Sequence, residues 1–179
     1  MKRQLTIFRL IFASLLCTPF FLSCNNNQVT PAQGPTFSVD INGTTYTSET
    51  IFATVAVNTV SSGSTTYTSK FFNIIASLPD AQTVTLTMNY DDSTSVNNCL
   101  PTITFQYDTN LGPLAGMGYS TGTQLFGSIL SANIQVSACS IGSPNTISGT
   151  FSGEMEGGPN LVPHELTNGK FDNISFTVL

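Results

Sequence analysis

Between Thr83 and Tyr90 the side chains of Val84, Leu86, Met88 and Tyr90 alternate with those of Thr83, Thr85, Thr87 and Asn89. An apolar group at every second position suits a strand with one face in a core and one face in water. A helix would need apolar spacings of three and four, and no segment of this chain shows them convincingly. The period of two recurs in Phe37, Val39 and Ile41, and again in Ile103, Phe105 and Tyr107. Asn42-Gly43, the strongest short hairpin signal, follows the first of these runs and sends the chain back through Thr44–Thr47. Ile51, Ala53, Val55 and Val57 alternate with Phe52, Thr54 and Ala56, which predicts a strand buried on both faces.

A Ser/Gly loop at Ser61–Ser64 leads to another apolar strand, Tyr67–Ser77, and Leu78-Pro79-Asp80 reads as a turn. Asp91–Asn98 reads as a polar loop and Leu111–Gly122 as irregular and Gly-rich. Leu125–Leu130, Asn133–Ala138, Thr146–Met155 and Lys170–Leu179 supply the remaining strands. The expectation is an all-β fold of about nine or ten strands with no substantial helix. Mostly antiparallel pairing follows from the lack of helical crossovers, in a β-sandwich or a partly closed barrel. No internal repeat points to a propeller or solenoid.

The N-terminus reads as an export signal rather than as structure. Lys2 and Arg3 precede a largely apolar run, Leu10–Leu22, and then Ser23-Cys24. That run falls short of the ~20 residues a membrane-spanning helix needs. Phe21-Leu22-Ser23-Cys24 resembles a bacterial lipobox, although Phe21 and Leu22 depart from its commonest form. The resemblance implies cleavage before Cys24 and lipidation of the new N-terminus. An ordinary secreted protein and a retained membrane anchor are the alternatives. Residues 1–23 are thus expected to be a lipoprotein signal peptide. Residues 24–35, rich in Asn, Gln, Pro and Gly, would form a flexible tether, and residues 36–179 a single β domain.

Removing the signal leaves Lys70 and Lys170 against ten acids, a net charge of −8, and no arginine. Nucleic-acid binding is excluded by that balance, because phosphate neutralisation needs many cations. Bidentate guanidinium recognition of phosphate is excluded with it. Membrane association, on this reading, comes from acyl chains on Cys24 and not from a basic patch. Polarity is carried by Ser and Thr, roughly a quarter of the chain, and threonine sits readily on the wet face of a sheet. Cys17 leaves with the signal and Cys24 carries lipid, so Cys99 and Cys139 remain. In an oxidising compartment they are expected to form a disulfide, the alternative being two separate buried thiols.

Several short motifs carry a further resemblance. The lipobox, FSVDINGTTYTS near the domain start, ISGTFSGEME and the terminal LTNGKFDNISF resemble an uncharacterised family of Bacteroidetes envelope lipoproteins with one β domain. The resemblance implies a lipid-anchored protein of the cell envelope, with the outer membrane expected and its leaflet left open. It imports no activity. Asp92-Ser93-Thr94 also resembles the tripeptide used for O-glycosylation in those bacteria, and equally suits a solvated turn.

Residues that might suggest catalysis are few. Gly118-Tyr119-Ser120-Thr121-Gly122 fits the nucleophile-elbow pattern, with Glu154, Glu156 and His164 downstream in the hydrolase order. That elbow needs a helix after the serine, and none is expected. His164 reads as a solvated loop residue, and without a second histidine His164-Glu165 cannot begin a zinc-protease motif. Asp91 and Asp92, with Asn89, Ser93 and Asn97, offer oxygens to a calcium ion but lack EF-hand spacing, and an exposed turn explains them as well. Asp40-x-Asn42-Gly43 suits the hairpin corner. Glu154 and Glu156 share a strand face about 7 Å apart, a workable glycosidase spacing. With no tryptophan platform nearby, a wet strand face is the simpler account. The five tyrosines are expected in the core or at its rim.

No catalytic residue, cofactor or metal is therefore assigned. The expected function is a non-catalytic binding or scaffolding module of the envelope, with a glycan or an envelope protein as partner. A calycin-like carrier of a small apolar ligand is the alternative, suggested by thirteen phenylalanines.

Overall fold

Asn42 and Gly43 both take positive φ, 50° and 80°, the mirror-image turn that matches the twist of two paired strands. They join β1 (Thr36–Ile41) to β2 (Thr44–Thr47). The computed structural model describes residues 34–48, 50–62, 65–92, 99–100, 104–107, 114–158 and 160–179, with the backbone alone for residues 60, 62, 65–67 and 92. The segments expected to be signal peptide and most of the expected tether, with Cys24, and also Ser93, Thr94 and Asn97, lie outside the described residues. Gln33–Leu179 forms a unit of its own.

Ten further strands follow. They are β3 (Thr50–Ser62), β4 (Thr65–Leu78), β5 (Gln82–Asp92), β6 (Thr104–Gln106), β7 (Ala115–Thr121), β8 (Gln124–Phe126), β9 (Ser128–Ser140), β10 (Thr146–Gly157), β11 (Val162–Ser175) and β12 (Thr177–Val178). The described residues are all β, in two six-stranded sheets that do not close into a barrel. The first sheet runs β2-β1-β11-β10-β9-β6 and the second β12-β3-β4-β5-β7-β8. Every pairing is antiparallel except β12 on β3. The result is a β-sandwich.

β5 follows the alternation its sequence announced: Val84, Leu86 and Met88 are fully buried, while Thr83, Thr85 and Thr87 turn to the other face. Phe37, Val39, Ile134, Phe151, Leu166 and Phe171 of the first sheet meet Val55, Phe72, Ile74, Leu86 and Met117 of the second in one core. At the usual ~25 cal/mol per Å², each such aliphatic or aromatic side chain contributes about 1.5–3 kcal/mol.

Two motifs from the sequence interlock here. Gly149-Thr150-Phe151 on β10 runs antiparallel to Gly169-Lys170-Phe171 on β11, with Gly149 opposite Phe171 and Phe151 opposite Gly169. Each ring therefore lies over the partner strand's glycine. A Cβ on Gly169 would stand 2.6 Å from both the Phe151 ring and its carbonyl oxygen, so only glycine fits. The pairing of aromatic rings with cross-strand glycines is a known way of covering a weak strand position.

Several boundaries differ from expectation. Ala115–Thr121, read as irregular, is a strand with Ala115, Met117 and Tyr119 in the core, and its glycines hid the alternation. The apolar run Leu125–Leu130 breaks at Gly127, where the chain passes from β8 in one sheet to β9 in the other. The last long strand begins at Val162, not Lys170. β3 is not buried on both faces, because Phe52 is 58% exposed. The described residues form twelve strands where nine or ten were expected, because β6, β8 and β12 span only two or three residues.

Lys70 is the largest departure from pattern. It occupies an inward position of β4, in line with Phe72 and Ile74, and is 1% exposed. Its Nζ donates to the Cys99 carbonyl oxygen at 3.3 Å. Cys99 is itself bonded to Cys139 on β9, with Cα atoms 5.7 Å apart, so the expected disulfide is present.

Candidate functional site

On the outer face of the first sheet, strand register places polar side chains in two lateral rows. One row comprises Thr104, Gln135, Thr150, Lys170, Ser38 and Thr47, carried by β6, β9, β10, β11, β1 and β2 in turn. The second comprises Gln106, Asn133, Ser152, Thr167 with Asn168, Asp40 and Thr45. With strands about 4.8 Å apart, each row spans about 24 Å. Eleven of these thirteen side chains are uncharged hydroxyls or amides, and none is buried.

Two adjoining depressions follow the rows. One, of about 510 Å³, lies between Gln106, Tyr107, Ser131, Asn133, Ser152, Glu154, Glu165 and Thr167. The other, of about 550 Å³, lies between Asn133, Gln135, Thr150, Ser152, Asn168 and Lys170. They share Asn133, Ser152 and Thr167, so they form a continuous groove across the middle of the sheet.

Asp40 anchors the far end of the second row. Its two carboxylate oxygens accept from Asn168 Nδ2 at 2.7 Å and Thr45 Oγ1 at 2.6 Å. These bonds, Asn168's first, favour the charged form and hold the carboxyl below its ordinary value of 3.8. A depressed carboxyl contributes stability that is complete above the unfolded value and is lost as pH falls through the folded one. The stability difference between the protein and an Asp40→Asn variant should thus be constant above about pH 5 and shrink on further acidification. Urea midpoints measured across that range check it, and a difference independent of pH would contradict it.

The constellations singled out in the sequence are not assembled. Tyr119 turns inward, 4% exposed, and its ring centroid lies 5.4 Å from that of His164. Ser120, one residue on, faces the opposite side of β7, so serine and imidazole stand on opposite faces of a strand. His164 is not a solvated loop residue: it lies within β11, half-buried, 4.1 Å from the Phe126 ring. Asn42 Oδ1 accepts from the Glu165 N–H at 2.9 Å, which orients its Nδ2 toward His164 Nδ1 at 3.0 Å. With the amide nitrogen as donor, the imidazole accepts at Nδ1. This histidine is a structural tie between the hairpin corner and β11.

Glu154 and Glu156 flank the buried Met155, as expected of a wet strand face. Across the ladder Glu154 stands beside Glu165, and both line the groove, which makes that end of it acidic. Asn89 accepts from Ser69 at 3.0 Å, Asp91 is exposed, Asp92 is described by its backbone alone at the end of β5, and Ser93 and Asn97 lie outside the described residues. Among the described residues no three His, Cys, Asp or Glu side chains converge as metal ligands. Tyr119 is in the core and Tyr46, Tyr90 and Tyr107 pack half-buried against it, as expected, while the side chain of Tyr67 lies outside what the structure describes. Among the described residues seven phenylalanines stand in the core, with Phe37 on Phe151 at 5.2 Å and Phe72 on Phe176 at 5.1 Å.

Sequence reasoning missed Asn133, Gln135, Ser152 and Glu165. Their signal was present, since Ser131, Asn133, Gln135 and Ser137 alternate with Ala132, Ile134, Val136 and Ala138. What the sequence withheld was the strand order that sets these residues beside Gln106, Ser152 and Thr150.

Fold and face together define a β-sandwich that carries a broad, weakly charged groove on one sheet. No family model, curated protein or solved structure matches the chain.

Proposed function

We propose that this protein is a non-catalytic binding module of the bacterial cell envelope, anchored through lipid on Cys24, that holds a neutral glycan in the groove of its first sheet. The observation that carries the reading is the pair of polar rows across six strands. Sugar hydroxyls donate and accept at every ring position. Asn, Gln, Ser and Thr side chains match both roles without the desolvation cost of a charge. The acidic end at Glu154 and Glu165, with the net charge of the mature chain, disfavours sulfated or uronic polymers. The extended, open shape suits a chain of sugars rather than one small molecule. The tether before Thr36 would let the domain sample material near the bilayer. The resemblance to Bacteroidetes envelope lipoproteins agrees with this setting.

The test is a glycan array probed with the mature lipoprotein, followed by affinity measurements on Asn133→Ala/Gln135→Ala. Both side chains are exposed, so the fold should tolerate the change. Each lost hydrogen bond is worth about 0.5–1.5 kcal/mol, which gives roughly a tenfold loss for the pair. Undiminished affinity, or an array with no neutral glycan bound, would refute the reading.

A further inference from the structure

β11 carries one residue too many where it passes β10. Phe151 pairs with Gly169 and Gly153 with Leu166, so the single residue Ser152 faces both Thr167 and Asn168. Asn168 takes up the extra length in the left-handed region, with a φ of 51°. A bulge of this kind re-aims side chains, and here it brings Asn168 into the groove beside Thr167. Ser152 is thus a short floor between two amides, Asn133 on β9 and Asn168 on β11. Asn133, Ser152 and Thr167 border both depressions, so this is where the two meet. Asn168 gives an Nδ2 hydrogen to Asp40 Oδ2 at 2.7 Å, which leaves its Oδ1 as an acceptor. Asn133 is exposed, and among the described residues its side chain has no hydrogen-bond partner.

Neighbouring strands lie about 4.8 Å apart, so these two amides stand two strands, about 10 Å, from one another. Amides that hydrogen-bond in a stack repeat at about 4.8 Å. One further amide therefore fits between them, above Ser152. Its carbonyl would accept from Asn133 Nδ2 and its N–H would donate to Asn168 Oδ1. A trans secondary amide points its N–H and C=O in opposite directions, as that gap requires. A single hydroxyl is too short to reach both sides.

We infer that the glycan held in the groove contains N-acetylated amino sugars, with an acetamido group seated over Ser152 between Asn133 and Asn168. The inference rests on the glycan reading of this face and narrows it to a chemical class. An acetamido group carries no charge, which suits a groove whose centre is amides and hydroxyls. A free amine would instead be drawn to Glu154 and Glu165 at the acidic end.

The test is an array of matched glycans, in gluco and galacto series, that carry an acetamido group, a hydroxyl or a free amine at the same carbon. It is probed with the mature lipoprotein. The acetamido member of a set is expected to bind about tenfold more tightly than the hydroxyl member, the worth of two hydrogen bonds. Asn133→Asp sets an acceptor where the acetyl carbonyl needs a donor. At this exposed position the variant should keep its melting temperature and bind the two members equally. Wild-type protein that binds the hydroxyl member as tightly as the acetamido member would overturn the inference and leave the glycan reading standing. So would an acetamido preference that survives Asn133→Asp in a folded protein. Tightest binding of the amine member would move the ligand to Glu154 and Glu165 and overturn it as well. An array on which no neutral glycan binds refutes the reading of the face itself, and the inference with it.

Discussion

Replacing Phe171 with alanine should lower the unfolding free energy by about 3–5 kcal/mol. The ring is fully buried, pairs across the ladder with Phe37 on one side and Gly149 on the other, and stacks near Phe151. A large-to-small change costs most where neighbours cannot move into the void. Here the nearest wall is glycine, which has nothing to extend. A Cβ built on Gly149 would lie 2.5 Å from the Phe171 ring, so ring and glycine occupy one another's space by design of the register. The reciprocal pair, Phe151 over Gly169, cannot compensate, because its ring is already fixed against that strand. Domains of this size are stable by about 5–15 kcal/mol, so the variant would sit near the limit of folding. Urea denaturation checks the loss. A cost below about 1 kcal/mol would mean the interlocked motifs do not organise the core.

Breaking the Cys99–Cys139 bond should cost about 4 kcal/mol in the chain-entropy account of a loop this long. The bond spans 40 residues, including β6 and β7, and ties the approach to β6 to the end of β9. It has a second consequence. The Cys99 carbonyl is a hydrogen-bond acceptor for Lys70, whose side chain lies within the core. A cation at such depth is tolerated only with its polar partners in place. Releasing Cys99 loosens one of those partners as well as the loop. A Cys99→Ser/Cys139→Ser variant should therefore unfold at a markedly lower urea concentration than the oxidised protein. Adding Lys70→Met to that variant should recover part of the loss. A serine variant as stable as the oxidised protein would contradict both statements.

The disulfide and the all-β class were legible because each rests on local rules: cysteine count after export, and a period of two with turns between. Individual strands were legible wherever apolar and polar residues alternated cleanly, as in β5. They were obscured where glycine stood in for a side chain, as in β7. The burial of Lys70 was not legible, since polar Thr68 and Ser69 precede it and a lone lysine there reads as a surface residue. His164 was misplaced for a similar reason. Pro163 beside it suggests a loop, but on β11 the proline costs no visible break. The groove itself depends on strand order, and order is a long-range property that hydropathy does not encode. Asn133 and Gln135 were visible as a wet strand face. Their meeting with Thr150 and Ser152 was not.

The most direct test of the binding face is a two-dimensional amide NMR titration of the isotopically labelled protein with the neutral glycan that an array selects. The account predicts shift changes concentrated at Asn133, Gln135, Thr150, Ser152, Thr167 and Asn168, with the outer face of the second sheet unmoved. Shifts centred on the second sheet, or spread through the core without a focus on β9, β10 and β11, would contradict it.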